Sequence, residues 1–170
     1  MHTPLFRFAI CGRAETPVVA ARFRPTHLVT FIDPGDPRRV PARPDTVAPQ
    51  RHLILECRDT PAGFAGSPTS AIVHRLLEMT RLLQTGDRPL FQCEAGIARS
   101  PAAALVALSQ HLGPERADTA LARVLEAQPF AWPNPEIVRI AADFLNHPDL
   151  VRVLNAFKQT AIRTCPKEIF

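Results

Sequence analysis

Lysine is almost missing from this chain: of its twenty basic residues only Lys158 and Lys167 are not arginine. The formal net charge is nevertheless +4. No stripe of basic residues alternates with aromatics, so a nucleic-acid partner is not expected, and a mildly positive surface suits the steering of anionic substrates instead. Cysteine is sparse too. Cys11, Cys57, Cys93 and Cys165 stand far apart with no CxxC pair, which excludes a zinc ribbon or a dithiol redox motif. His27, His52 and His74 lack metal-ligand spacing, and no metal or other cofactor is expected. No basic stretch leads into a long apolar core at the N-terminus, and no apolar run approaches a membrane span. The expectation is a cytoplasmic protein without a membrane partner, in a compartment that keeps thiols reduced. Internal repeats and interdomain linkers are missing as well, so residues 1–170 read as one domain, with a monomer as the default.

What is present reads as α/β. Hydrophobic residues make up 46% and charged residues 21%, enough to bury a core without disulfides. Strands are expected at Leu5–Ile10, His27–Ile32, Arg51–Cys57 and Leu90–Gln92. Helices are expected at Glu15–Phe23, from a Ser67-Pro68 cap to Gly86, and at Pro101–Leu112, Glu115–Gln128, Asn134–Asn146 and Pro148–Gln159. Between residues 33 and 49 the chain is rich in proline and arginine and reads as irregular loop. The architecture implied is a mixed, mostly parallel sheet of four to five strands flanked by helices, with a helix-rich second half. A ligand loop in such a sheet belongs at a strand's carboxyl end.

One stretch organises the rest: Pro89-Leu-Phe-Gln-Cys93-Glu-Ala-Gly-Ile-Ala-Arg99-Ser100, between a short apolar strand and an Ala/Leu-rich helix. A loop from strand to helix N-terminus turns several backbone N–H groups toward one point and makes a cradle for a tetrahedral anion. Those donors are the amides of Glu94, Ala95, Gly96, Ile97, Ala98 and Arg99. The same field stabilises a Cys93 thiolate and makes it nucleophilic. The Arg99 guanidinium can fork two phosphate oxygens. Gly96 sits where the backbone must approach a partner closely, and a hydroxyl at Ser100 can reach back to the sulfur. A positive side chain at a helix N-terminus opposes the helix dipole, which itself favours an anion ligand for Arg99. Nucleophile, cradle and clamp together read as phosphoryl transfer to cysteine.

The stretch resembles the protein tyrosine phosphatase superfamily, whose signature is His-Cys, five residues, then Arg-Ser/Thr. It matches at Cys93, Gly96, Arg99 and Ser100. The Cys-x-Ala-Gly-Ile-x-Arg-Ser form, the Pro133-Asn134-Pro135 corner and the Asp33-Pro34-Gly35 turn look most like the compact bacterial predicted tyrosine phosphatases, related to the dual-specificity type. One departure stands out: Gln92 replaces the histidine that helps hold the loop and depress the thiol pKa. The resemblance implies a metal-independent phosphomonoester hydrolase with a cysteinyl-phosphate intermediate. Its substrate would be a phosphorylated protein (phosphotyrosine, with phosphoserine and phosphothreonine open) or a small phosphomonoester. By position and context the resemblance places the general acid at Asp59, in a loop whose Gly63 and Gly66 permit closure; Asp33 and Asp36 are the alternatives.

Bland readings stand beside these. Glu94 points to solvent, Trp132 with Phe130 forms a packing corner, and Cys57 is core or else a disulfide partner for an oxidised Cys93. Cys11 and Cys165 carry no assigned role. Two other functions compete: a phosphate- or phosphoprotein-binding module with little turnover, and a rhodanese-type sulfurtransferase.

Overall fold

The computed structural model describes residues 6–35 and 40–164. In it β1 (Ala9–Gly12), β2 (His27–Ile32), β3 (His52–Glu56) and β4 (Pro89–Cys93) form one sheet in the order β1-β4-β2-β3. Every pairing is parallel: β4 is in register with β1 through Ile10↔Phe91 and with β2 through Val29↔Phe91, and β3 lies on the far side of β2. The sheet is thus parallel rather than mixed. Strand β4 sits between two neighbours, so its carboxyl end opens at the middle of the sheet edge.

Alternation along the strands sorts the side chains onto two faces. Ile10, Val29, Phe31, Leu55, Phe91 and Cys93 belong to the larger core, and Cys11, Leu28 and Leu90 to a smaller one. The larger core is closed by α2 (Ser70–Thr80), α3 (Arg99–Leu112), α4 (Ala117–Ala127), α5 (Pro135–Leu145) and α6 (Pro148–Thr164). The smaller is closed by α1 (Thr16–Phe23) through Ala20 and by the loop residue Val47. Helix α3 is buried at every position from Arg99 to Ser109, as expected of a helix apolar on all sides.

Several boundaries moved for local reasons. The first strand was expected from Leu5, which lies outside the described residues; it begins at Ala9, where pairing with Leu90 starts. Helix α2 is capped by Thr69, whose hydroxyl accepts from Ile72 N, because Ser67 is used in a turn with its amide donating to Phe64 O. It ends at Thr80 rather than Gly86. There the Thr80 hydroxyl donates to Leu76 O and to Gln110 Oε1, and the chain tightens into turns through Leu82 and Leu83. Helix α3 starts two residues early, at Arg99, with Ala102 N donating to Ala98 O. Helix α6 runs on to Thr164.

Candidate active site

Cys93 is the last residue of β4 and Arg99 the first of α3, so the five residues between them make the whole strand-to-helix turn. Gly96 makes it possible. Its φ is +73°, and a Cβ there would lie 2.5 Å from Gly12 N and 2.7 Å from Cys11 C. The close approach that requires glycine is therefore to the end of β1, not to a ligand. Gly12 answers in kind, since a Cβ on it would stand 3.2 Å from Ala95 C.

Carbonyls of the loop are tied down from outside. Glu94 O accepts from Arg13 N at 3.0 Å, Ile97 O from Trp132 N at 2.7 Å, and Ala98 O from Asn134 N at 3.1 Å. The amides of residues 95–99 donate to no acceptor among the described residues. Pinning the carbonyls outward turns the N–H groups inward, which is how a backbone builds an anion cradle.

The two ends of the loop are buried, Cys93 at 3% and Arg99 at 5% exposure. Cys93 Sγ lies 3.1 Å from Ser100 Oγ. Arg99 Nη1 donates to Asp33 Oδ1 at 2.8 Å and to Cys57 O at 2.6 Å. Both acceptors come from the carboxyl ends of neighbouring strands, β2 and β3. Since Nη1 satisfies both, Nε–H and the Nη2 pair engage no described residue, and these are the donors a bidentate fork uses. Asp33, an alternative proton donor by sequence, is thus the ion-pair partner of the arginine. Asp36, the other alternative, lies outside the described residues.

Gln92 occupies the position before the cysteine on the α1 face of the sheet and is 1% exposed. Its Nε2 donates to Cys93 O at 2.8 Å, so it fixes the first carbonyl of the loop; Oε1 is buried without a partner among the described residues. Burial pushes the Cys11 thiol up to about 11 and the Cys57 thiol up to about 12, the latter against the opposing pull of Arg99. Both stay protonated at neutral pH. Among the described residues no disulfide forms and no group of side chains could hold a metal. Cys165 lies outside them.

Asp59 stands in the loop after β3, which closes with Arg58 N donating to Gly66 O at 2.7 Å; Gly63 and Gly66 both have positive φ. Its Oδ1 accepts from Asn134 Nδ2 at 2.7 Å. Asn134 is 2% exposed, and its Oδ1 caps α5 by accepting from Glu136 N and Ile137 N. One residue therefore holds the Asp59 loop, the anion loop and a helix terminus. Sequence reasoning found the cap and missed the rest. The available signal was that a capping asparagine has a spare amide that a capping serine lacks. Lys158 was missed as well. Its Nζ lies 4.8 Å from the Trp132 ring centre, burial lowers its pKa, and the nearby Asp59 charge opposes that shift. Trp132 also packs on Phe157, so the tryptophan corner is a packing joint, while Phe130 is exposed. Glu94 pairs with Arg13 at 2.9 Å on the surface, both side chains 43% exposed.

No protein-family model matches the chain, and no curated protein matches its sequence. Solved structures do. Human DUSP28 is 23% identical over 91% of this chain and 96% of its own, with a TM-score of 0.58. DUSP15 is 19% identical over 92% and 95%, TM-score 0.59, and PTPMT1 is 17% identical over 89% and 95%, TM-score 0.56. The chain shares the fold of these phosphatase structures over nearly its whole length. Among the described residues, no helix is long and apolar enough to cross a membrane.

Proposed function

We propose that the chain is a phosphomonoesterase that works through Cys93. The observation that carries this reading is one loop with Cys93 at one end, 3.1 Å from Ser100 Oγ, and the buried Arg99 at the other. The amides of residues 95–99 have no acceptor among the described residues.

The Cys93 thiolate attacks phosphorus in line as the ester P–O bond breaks. Arg99, through Nε and Nη2, and the amides of Glu94 to Arg99 hold the charge on the three equatorial oxygens. Asp59 gives its proton to the leaving oxygen, then as a carboxylate takes one from the water that cleaves the S–P bond. Ser100 Oγ donates to the sulfur as it departs. The reaction is balanced with no metal, because the guanidinium and the amides supply the positive field. Asp59 is now held by Asn134, and the glycines at 63 and 66 let its loop close over substrate.

A phosphorylated protein or a small phosphomonoester is the substrate class this supports. One fold neighbour is described as a mouse putative dual specificity phosphatase, and PTPMT1 is described in complex with PI(5)P. A second reading, a binding module with little turnover, draws on a fold neighbour described as a tyrosine phosphatase-like serine/threonine/tyrosine-interacting protein and on Gln92 before the cysteine. Intact Cys93, Arg99 and Ser100 favour turnover.

Hydrolysis of p-nitrophenyl phosphate in the presence of chelator tests the proposal. Wild type is expected to turn over, Cys93→Ser to be inactive, and Asp59→Ala to be slowed most on aryl phosphates with poor leaving groups. Wild type that binds phosphate analogues without turnover would establish the binding module instead. Sulfur transfer from thiosulfate to cyanide would establish the sulfurtransferase.

A further inference from the structure

At the pole of the sheet opposite Cys93, four arginines converge. Arg7 precedes β1, Arg88 precedes β4, and Arg22 and Arg24 lie at the end of α1 just before β2. With Val19 and Phe23 they line a surface cavity of about 480 Å³ that no carboxylate lines. The five residues of β4 separate it from the anion loop by about 16 Å at 3.3 Å per residue, too far for one phosphate to span.

The helix dipole and one backbone carbonyl account for part of this cluster. Arg22 in the last turn of α1 and Arg24 at its C-cap complement the helix dipole, but that end carries only about half a negative charge. Arg88 Nε donates to Arg24 O at 2.8 Å, which uses one N–H and adds no negative charge. Asp87, next to Arg88 in the chain, is committed elsewhere. Its Oδ2 accepts from Gln84 N and its Oδ1 from Thr26 Oγ1, with His27 and Arg51 also facing it. None of the four guanidiniums has a carboxylate partner among the described residues.

Backbone geometry adds an independent observation. Arg24 has φ +52°, the left-handed region, where glycine is the ordinary helix-ending residue. A side-chain-bearing residue stands there instead, and it places a guanidinium on the cavity rim. The backbone around it is held by Thr26 N donating to Arg88 O at 2.9 Å and by Arg7 N donating to Asp87 O at 3.3 Å. The arginine roots are thus fixed by the start of the sheet, while the half-buried Val19 and Phe23 give the cavity an apolar wall that strengthens a charge interaction.

We infer that this cavity is a second anion site, independent of the Cys93 loop, for a ligand carrying two or more phosphate groups. Four guanidiniums and no carboxylate recognise multiple phosphates better than a single carboxylate or a neutral sugar. The same chemistry occurs in a soluble polyphosphate and in a phosphoinositide headgroup.

Calorimetric titration of the full chain with sodium tripolyphosphate tests the site, alongside Arg7→Gln/Arg22→Gln, two exposed side chains without hydrogen bonds among the described residues. Wild type is expected to bind, more weakly as salt rises, and the double variant to lose roughly tenfold or more in affinity. Pelleting with phosphatidylcholine vesicles, with and without a phosphoinositide bisphosphate, distinguishes the sources. Phosphoinositide-dependent pelleting lost in the variant assigns a lipid headgroup, and tripolyphosphate binding without pelleting assigns a soluble ligand. Failure of both probes to bind wild type, or binding unchanged in the variant, overturns the inference.

Discussion

Asn134 Nδ2 donates to Asp59 Oδ1 at 2.7 Å while the same side chain's oxygen caps α5. The cap and the contact to Asp59 can be separated, because serine caps a helix about as well as asparagine but is too short to hold a second loop. Asn134→Ser is expected to keep its thermal midpoint within a few degrees. It should lose roughly ten- to a hundredfold in kcat on alkyl or unactivated aryl phosphates and much less on p-nitrophenyl phosphate, whose leaving group needs little protonation. Equal losses on both substrates would mean that Asn134 acts through the anion loop and not through Asp59.

Asp33 bonds Arg99 at the mouth of the loop, half in solvent at 39% exposure. Its charge repels any oxyanion that the arginine receives. Two charges some 7 Å apart interact by about 0.6 kcal/mol in water and about 2.4 kcal/mol at an effective dielectric of 20. With Cys57 O still holding the guanidinium, Asp33→Asn is expected to tighten orthovanadate inhibition by about three- to tenfold. Weaker inhibition would show that the carboxylate's hold on the guanidinium matters more than its repulsion.

Gly96→Ala combines a left-handed φ with a Cβ 2.5 Å from the Gly12 amide nitrogen. The backbone of β1 cannot yield without breaking its ladder to β4, so the variant is expected to lose about 3 kcal/mol or more by denaturant unfolding. Gly63→Ala has nothing within 4 Å of its added Cβ and carries only the positive-φ cost, of about 1 kcal/mol.

Burial raises Cys11 and Cys57 from the ordinary 9.0 to about 11 and about 12. At pH 7 the corresponding thiolate fractions are about one in ten thousand and one in a hundred thousand. Iodoacetamide at neutral pH, followed by peptide mapping, is therefore expected to leave both unmodified in the folded chain and to label them after denaturation. The sign for stability follows. A thiol with a raised folded-state pKa favours the native state below pH 9, and that contribution is lost as pH climbs through 11 to 12, so unfolding should become easier in that window.

The sequence alone determined what depends on neighbours along the chain. Composition, strand alternation and the position of the Cys93–Arg99 turn between an apolar strand and an apolar helix placed the elements, although two helix ends lie five and six residues from where they were expected. The motif placed Cys93, Arg99 and Ser100 together, because three residues on one strand-to-helix turn cannot be far apart. The proposal of Asp59 as general acid rests on a resemblance in loop position, and the fold ties that loop to the anion loop through Asn134. Tertiary structure decided what joins distant segments: the parallel pairing on both sides of β4, the contact of Gly96 with β1, Asp33 on Arg99, and Lys158 beside Trp132. None of these leaves a periodic trace in the chain. A hydrogen bond between residues 66 or 75 positions apart is fixed only when the packed core sets the distance between them. The four arginines at the opposite pole are the plainest case, since three separate segments bring them together only because parallel strands begin at one edge.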